Sequence, residues 1–203
     1  NALTKSAIPA EDYPFCTIDP NVGIVEVPDN RLNNLADIFN PKLITPAIVE
    51  FVDIAGLVRG ASKGEGLGNQ FLSHIRDVNT IIHVVRSFED DNITHVDGTL
   101  NPIRDIETIE TELLLRDIAS VEKRIEKLQK TVRIGDKNSK EEMDVLDFIY
   151  PKMNEGILVH DILLNSNQKN YLHVLSLLTN KPTLYVINTD EDEINSHERS
   201  PDI

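Results

Sequence analysis

The sequence predicts an α/β domain with a mainly parallel sheet, into which an antiparallel helical hairpin is inserted. Two observations support this fold class. Short runs rich in valine and isoleucine alternate with helical stretches over about residues 24–103 and again from about residue 183, a pattern typical of strands buried on both faces. From about residue 105 to 156, apolar residues instead recur at alternating spacings of four and three, as in the seam of a coiled coil.

Four strands and two helices are predicted in the α/β part. The strands are residues 24–27, 48–52, 81–85 and 183–187, each four or five residues long and mostly apolar. The helices lie near residues 32–39 and 68–76. Strands separated by helices favour parallel pairing.

The helical hairpin is predicted from its seam, its turn and its caps. The seam positions are Leu114, Ile118, Val121, Ile125 and Leu128 on the first helix and Met143, Leu146, Tyr150 and Met153 on the second. Gly135 and Asp136 indicate the turn between the helices. Ser139 and Glu142 match a capping box for the second helix, and Pro151 is expected to kink or end it. The predicted domains are therefore 1–104, the hairpin 105–156, and 157–203.

Composition excludes several classes of protein. The chain has 203 residues, of which 40% are hydrophobic, enough for a packed core. No apolar run approaches 18 residues, so no membrane partner is expected. The single cysteine, Cys16, excludes an internal disulfide and favours a reducing compartment, and we expect a cytoplasmic location. A net charge of −14 argues against direct DNA binding by the chain as a whole.

The charge is unevenly distributed. Residues 116–140 contain eight basic and four acidic residues, whereas the rest of the chain is strongly acidic. This segment is either a solvated helix face of mixed charge or a local basic patch that meets a polyanion or an acidic partner.

The segment 52–57 (VDIAGL) carries the most informative motif. It leaves a predicted buried strand and leads into residues 60–68, which contain four glycines. An aspartate at the carboxyl end of a parallel strand, here Asp53, lies where open α/β sheets bind ligands and can hold Mg²⁺ through water. Gly56, three residues later, lets its backbone N–H approach a terminal phosphate. Alone, D-x-x-G is also common at ordinary strand ends.

Two other segments carry groups suited to a nucleotide. Thr17 lies in an irregular segment before the first strand, where its hydroxyl could complete a magnesium shell or be an ordinary loop threonine. Residues 188–191 (NTDE) follow the fourth strand. The Asn188 amide and the Glu191 carboxylate can hydrogen-bond a purine, although polar residues after a strand also commonly just turn the chain.

Taken in this order, the motifs closely resemble the YchF / Obg-like ATPase family of translation-factor-class P-loop NTPases. The matching segments are 1–5 (NALTK), 13–23 (YPFCTIDPNVG), 51–57 (FVDIAGL), 62–69 (SKGEGLGN), 88–93 (FEDDNI), 101–102 (NP) and 177–183 (LLTNKPT). The resemblance runs from residue 1 to about residue 192. It implies a P-loop NTPase G-domain with an inserted coiled-coil hairpin.

The resemblance implies roles for individual residues. Thr17 is similar to the switch I threonine that binds magnesium and the γ-phosphate, and Asp53 and Gly56 are similar to the switch II pair; Thr17 and Asp53 would hold Mg²⁺. Asn188 and Glu191 are similar to an altered base-recognition motif, N-x-x-E in place of N-K-x-D, and Thr189 would add a backbone contact to the base. Lengthening the aspartate disturbs its match to guanine. The family accordingly prefers ATP and binds GTP more weakly; a GTPase is the alternative.

The position of the attacking water is a separate question. Leu57 stands where Ras-like enzymes place a glutamine that orients this water. His95 is similar to a family histidine on a mobile loop and could take that catalytic role, or it could be a surface histidine. His83 lies inside an apolar strand and is expected to be a core histidine.

One element of the family is absent from these 203 residues. The phosphate-binding motif G-x-x-x-x-G-K-[ST] does not occur, and residues 20–23 (PNVG) imitate it but are followed by Ile24 where lysine is needed. The resemblance therefore implies a first strand and P-loop before Asn1 and a TGS domain after Ile203. We expect this chain alone to bind nucleotide poorly and the complete protein to be an ATPase that binds the ribosome. The alternative is a non-catalytic interaction module that works through the hairpin.

Overall fold

The computed structural model describes residues 21–54, 67–90 and 98–190, which fall in two compact units divided after Gly56. The first unit contains β1 (Asn21–Glu26), α1 (Asn30–Phe39) and β2 (Ile48–Asp53). The second contains α2 (Leu67–Asp77), β3 (Ile81–Arg86), α3 (Pro102–Arg133), α4 (Lys137–Asn154), α5 (Ser166–Leu175) and β4 (Thr183–Asn188), with 3₁₀ turns at Val159–Asp161 and Leu178–Asn180. The α/β class and every predicted strand and helix are confirmed.

The first unit is a two-stranded antiparallel sheet whose strands are connected through α1. Asn21 lies opposite Asp53, and Glu26 lies opposite Ile48. The sequence predicted a mainly parallel sheet, and this antiparallel pair was not predicted. Asn21, Val22 and Gly23 repeat part of the phosphate-loop motif, but they form the start of β1, where Gly23 lies opposite Phe51.

The second unit contains the predicted parallel pairing. β3 and β4 run side by side from Ile81 opposite Thr183 to Arg86 opposite Asn188. One hydrogen bond extends the ladder beyond its last pair, because the Ser87 N–H donates to the Asn188 carbonyl at 2.8 Å. Parallel strands end at the same edge of a sheet, so the residues that follow β3 and β4 share one edge.

The hairpin consists of α3 and α4, joined by residues 134–136. The Asn101 side chain caps α3 by accepting the Arg104 N–H at 3.0 Å, and Pro102 takes the first helical position. Both helices end in a Schellman motif with glycine in the left-handed region, Gly135 at φ 89° and Gly156 at φ 91°. The predicted turn at Gly135 and Asp136 is therefore confirmed.

Two details of α4 differ from the prediction. The N-cap is Asp136, whose carboxylate accepts the Ser139 N–H at 2.7 Å, so the helix begins before Ser139 and the predicted capping box is wrong. The Glu142 carboxylate instead accepts two hydrogen bonds from Arg124 on α3, at 2.6 and 2.7 Å. Pro151 lies in the last turn of α4 and does not end it, because the helix continues to Asn154.

The largest apolar core of the described residues lies along the hairpin and continues into the segment after it. Its buried members are Leu114, Val121, Leu128, Val145, Leu146, Ile149, Met153, Val159, Ile162, Leu172 and Leu177. The other predicted seam residues, Ile118, Ile125, Met143 and Tyr150, pack against this cluster while partly exposed. The seam is thus confirmed. The hairpin shares its core with α5, which contributes Leu172. The predicted domain boundaries, 1–104, 105–156 and 157–203, stay a prediction.

Candidate nucleotide-binding site

Two of the three base-recognition residues proposed from the sequence, Asn188 and Thr189, lie at the carboxyl edge of β3 and β4. Asn188 is the last residue of β4, its side chain is exposed, and Thr189 follows it half-buried. Their position at the carboxyl end of a parallel strand is where open α/β sheets bind ligands. The exposed Asn188 amide has one acceptor and two donors to offer a ligand at this edge.

Arg86, opposite Asn188, organises the loop that follows β3. Its Nε donates to the Phe88 carbonyl at 2.8 Å, and a terminal nitrogen donates to the Asp90 carbonyl at 3.2 Å. The guanidinium also lies 4.8 Å from the centroid of the Phe88 ring, a cation–π distance. Sequence reasoning did not single out Arg86, although a charged residue closing an otherwise apolar strand was the available signal.

The two strands are anchored to α3 through two aromatic side chains. The His83 ring lies 5.8 Å from the Tyr185 ring, and the Tyr185 hydroxyl donates to Glu110 on α3. Burial lowers the pKa of His83 below its usual value, which agrees with a core histidine. Burial and the Glu110 carboxylate raise the pKa of Tyr185 to about 12.

A small cavity lies beside these residues, next to His160, Thr179 and Thr183. Its volume is about 30 Å³, room for a water molecule but far below what a nucleotide requires. The cavity therefore does not replace the strand edge as the candidate site.

Among the residues proposed for the phosphate side, Asp53 is described, and it belongs to the first unit. Asp53 is the last residue of β2, and its side chain is exposed. Thr17, Gly56, Glu191 and His95 lie outside the described residues. The structure thus brings Asn188 and Thr189 together at one strand edge and shows Asp53 at the end of a strand in the first unit.

A metal site cannot be assembled from the described residues alone. Within 21–54, 67–90 and 98–190, no group of three or more His, Cys, Asp or Glu side chains is arranged to hold a metal ion. Asp53 contributes a single exposed carboxylate. Such a donor suits Mg²⁺, which takes one or two carboxylates and completes its shell with water and phosphate oxygens.

Helices and strands in this order, with polar residues at the carboxyl edge of a parallel pair, are typical of the α/β domains of the P-loop GTPase class. Comparison with known proteins agrees with this class. The family model described as "50S ribosome-binding GTPase" matches residues 1–116, more than half of the chain. The chain belongs to this family and, within it, to the YchF / Obg-like ATPases, as the following relatives show.

The similarity to individual relatives is extensive. The chain is 52% identical over 194 residues to "Ribosome-binding ATPase YchF" of Bacillus subtilis, covering 96% of this chain and 53% of that protein. It is 51% identical over 192 residues to the protein of that name in Escherichia coli O157:H7, covering 95% of this chain and 53% of that protein. The chain therefore spans about half the length of the curated relatives it matches.

A solved structure confirms the fold. The structure described as the Schizosaccharomyces pombe YchF GTPase superposes with a TM-score of 0.74 at 38% identity, covering 98% of this chain and 55% of that one. The P-loop GTPase-domain fold predicted from the motifs is confirmed.

Proposed function

We propose that the full-length protein is a ribosome-associated NTPase that hydrolyses ATP in preference to GTP, with Mg²⁺ as cofactor. The observation that carries this proposal is Asn188, exposed at the carboxyl edge of a parallel strand and followed three residues later by Glu191. The names of the relatives support it: two of them are called ribosome-binding ATPases, and the solved structure is called a GTPase.

The base would bind at the edge formed by β3 and β4. Asn188 would hold the loop and the base together, and Thr189 would add a backbone contact. Glu191 would replace the aspartate that pairs with guanine N1 and N2 in N-K-x-D proteins. Because its side chain is longer by one methylene, the match to guanine is lost and adenine becomes acceptable.

The phosphates would bind near the end of β2. Thr17 and Asp53 would hold Mg²⁺, which when bound neutralises charge on the phosphates. The Gly56 N–H would approach the terminal phosphate. His95 would orient the attacking water, since the apolar Leu57 has no group that can do so.

The 203 residues themselves are expected to bind nucleotide weakly. They contain no G-x-x-x-x-G-K-[ST] motif and therefore no lysine placed against the β- and γ-phosphates. Titration of this chain with fluorescent ATP and Mg²⁺ measures its affinity for ATP. Tight, saturable binding would contradict the expected weak binding.

We predict that Asn188→Ala in the full-length protein weakens ATP binding about tenfold, the equivalent of one good hydrogen-bonding group. Titration with fluorescent ATP and with fluorescent GTP, each with Mg²⁺, measures the affinity and the preference together. Asn170→Ala, at an exposed position of α5, is the matched control and should leave both affinities unchanged. An unaltered ATP affinity in Asn188→Ala, or equal affinity of the wild type for the two nucleotides, would contradict the proposed base site.

We expect the ribosome to bind the basic face of the hairpin, formed by three lysines of α3. Lys123, Lys127 and Lys130 are exposed on α3, and their spacing of four and three places them on one face of the helix. Arg124 is already engaged by Glu142 in a bidentate ion pair. The three lysines are therefore available to phosphate groups of a ribosomal RNA surface.

We predict that changing Lys123, Lys127 and Lys130 together to glutamate weakens co-sedimentation of the full-length protein with ribosomes by about tenfold or more, because three phosphate contacts become repulsive. The same reversal at Lys42, Lys152 and Lys169, none of which belongs to α3, changes the net charge equally and serves as the control. Equal co-sedimentation of the two triple variants would contradict ribosome binding through these lysines and would favour the alternative, a solvated helix face of mixed charge.

A second candidate function is a non-catalytic interaction module that works through the hairpin. This second candidate is favoured by the position of the apolar core, because the largest apolar cluster of the described residues lies in the hairpin and the segment that follows it. The nucleotide titration above separates the two candidates, because only the NTPase binds ATP.

We further propose a cytoplasmic location, because a ribosome-associated protein needs access to ribosomes. No described helix combines the length and apolar character needed to cross a bilayer. Neither a membrane nor DNA is proposed as a partner.

A further inference from the structure

Asp117, in the middle of α3, binds the segment that leads into β4. Its side chain is fully buried, with 0% exposure. One carboxylate oxygen accepts the Leu178 N–H at 2.8 Å, and the other accepts the N–H and the hydroxyl of Thr179, both at 2.7 Å. The 3₁₀ turn that begins at Leu178 has no side-chain cap from its own flanking residue. The hairpin supplies that cap from a distant part of the chain.

Thr179 connects Asp117 to the segment that follows the hairpin. Its hydroxyl accepts the Val159 N–H at 3.3 Å while donating to Asp117. Its carbonyl is 2.7 Å from Nδ1 of His160. The turn Leu178–Asn180 is therefore held by the first helix of the hairpin and by the chain that leaves the second helix.

Lys181, two residues further on, reaches the end of α2. Its ammonium group donates to the Arg76 carbonyl at 3.0 Å and to the Val78 carbonyl. These carbonyls lie at the carboxyl terminus of α2, where a cation complements the helix dipole. Residues 177–181 thus contact both the hairpin and the helix that follows the glycine-rich segment.

β4 begins directly after this junction and is paired along its whole length. The Ile81 N–H donates to the Pro182 carbonyl at 3.0 Å, and the ladder continues to Asn188. Because each residue of β4 is paired with β3, we expect the strand to shift as one element, which would carry a displacement from its first residue to its last, about 17 Å away at 3.3 Å per residue. That last residue is Asn188.

We infer that Asp117 is a positioning residue that couples the hairpin to the base-binding edge, so that an RNA surface bound to the hairpin alters nucleotide affinity. This inference rests on the proposed function and names the regulation of that site. A helix that moves under a bound partner moves the carboxylate that caps residues 178–179, and with it the start of β4. The coupling is reciprocal, so nucleotide binding alters the affinity of the hairpin for its partner by the same factor.

The test measures the dissociation constant of fluorescent ATP for the full-length protein with and without saturating 70S ribosomes. In the wild type, ribosomes should change this constant about fivefold or more. In Asp117→Asn, whose amide nitrogen cannot accept an N–H, the change should fall below about twofold, while co-sedimentation of the nucleotide-free protein with ribosomes is retained. If Asp117→Asn fails to fold, Thr179→Val takes its place in the test. This variant keeps both N–H donors and loses only the hydroxyl, so its change in ATP affinity on ribosome binding should lie between those of the wild type and Asp117→Asn.

Val121→Ala is the control for a merely structural role. Val121 is fully buried one turn along α3 and belongs to the hairpin core, so its truncation loosens the same helix without removing the carboxylate. It should lower the melting temperature and keep the wild-type change in affinity. The inference is overturned if ribosomes leave the wild-type constant unaltered, or if folded Asp117→Asn or Thr179→Val keeps the full change. A wild type that binds no ATP or no ribosome instead refutes the proposed function, and the inference with it.

Discussion

Replacing Asp117 by alanine will lower the free energy of unfolding of the chain by about 4 kcal/mol. The substitution removes three hydrogen bonds to a charged group and leaves the Leu178 and Thr179 N–H groups buried without their acceptor. A hydrogen bond to a charged group contributes about 1.5–3 kcal/mol, and an unsatisfied buried donor costs about 1–3 kcal/mol. The net loss is smaller than their sum, because the desolvation cost that raises the pKa of Asp117 disappears with the carboxylate. Urea unfolding followed by circular dichroism measures it.

Glu126→Ala is the matched control for this prediction. Glu126 is an exposed acid on the same helix, so its removal should change stability by no more than about 0.5 kcal/mol. A loss of less than about 1 kcal/mol for Asp117→Ala would show that the capped turn rearranges to find other acceptors. That outcome would also weaken the proposed coupling between the hairpin and β4.

Replacing Leu146 by alanine will cost about 3 kcal/mol. Leu146 is fully buried in the hairpin core, at 0% exposure. Truncation removes three carbon atoms from that core and leaves a cavity that the surrounding helices fill only in part, for which the usual cost is about 2–5 kcal/mol. Because the hairpin shares this core with Val159 and Leu172, the loss should appear in a single unfolding transition of hairpin and α5 rather than in a separate early one.

Leu163→Ala is the control for the cavity argument. Leu163 is 94% exposed, so the same change of side chain removes almost no buried surface and should leave the unfolding curve in place. Two separate transitions in Leu146→Ala would indicate that the hairpin unfolds independently of the rest of its unit. Equal losses for the two leucines would contradict the packing described for α4.

Most of the secondary structure could be predicted because its causes are local. Alternating apolar runs and helical stretches gave the four strands and two helices of the α/β part, and the four-three spacing gave the buried seam of α3 and α4. The turn at Gly135 was predicted correctly because the first helix ends where a left-handed residue is needed. The P-loop GTPase fold followed from motifs of several consecutive residues, which are read without knowledge of contacts.

The errors and omissions concern choices between equally good local partners. Asp136 and Ser139 are both favourable N-caps, and the structure selects Asp136. Glu142 was expected to complete a capping box, but Arg124 lies opposite it on the other helix and binds it instead. For Glu142, nothing in the neighbouring sequence could decide between the two partners, since the deciding contact comes from 18 residues away.

The candidate site could be predicted only in part, because some of its features depend on local sequence and others on tertiary contacts. Asn188 and Thr189 follow a strand whose end could be read from the sequence, so their place at a carboxyl edge was predictable. Arg86 was missed because its role, holding the carbonyls of Phe88 and Asp90, depends on a fold of the following loop that no spacing encodes.

By itself, therefore, the sequence determined the four strands, the two helices of the α/β part, the hairpin, the family and the motifs, whereas α5 and the two 3₁₀ turns were not predicted. The features that were predicted depend on residues that are adjacent or about one helical turn apart. Only the tertiary structure decided that β1 and β2 pair antiparallel and that Asp117, counted from the sequence among the charges of the hairpin, is buried as a cap on residues 178–179. That bond joins residues 61 positions apart. A contact over such a distance leaves no periodic pattern, because it is fixed by how packed elements meet rather than by the order of residues along either one.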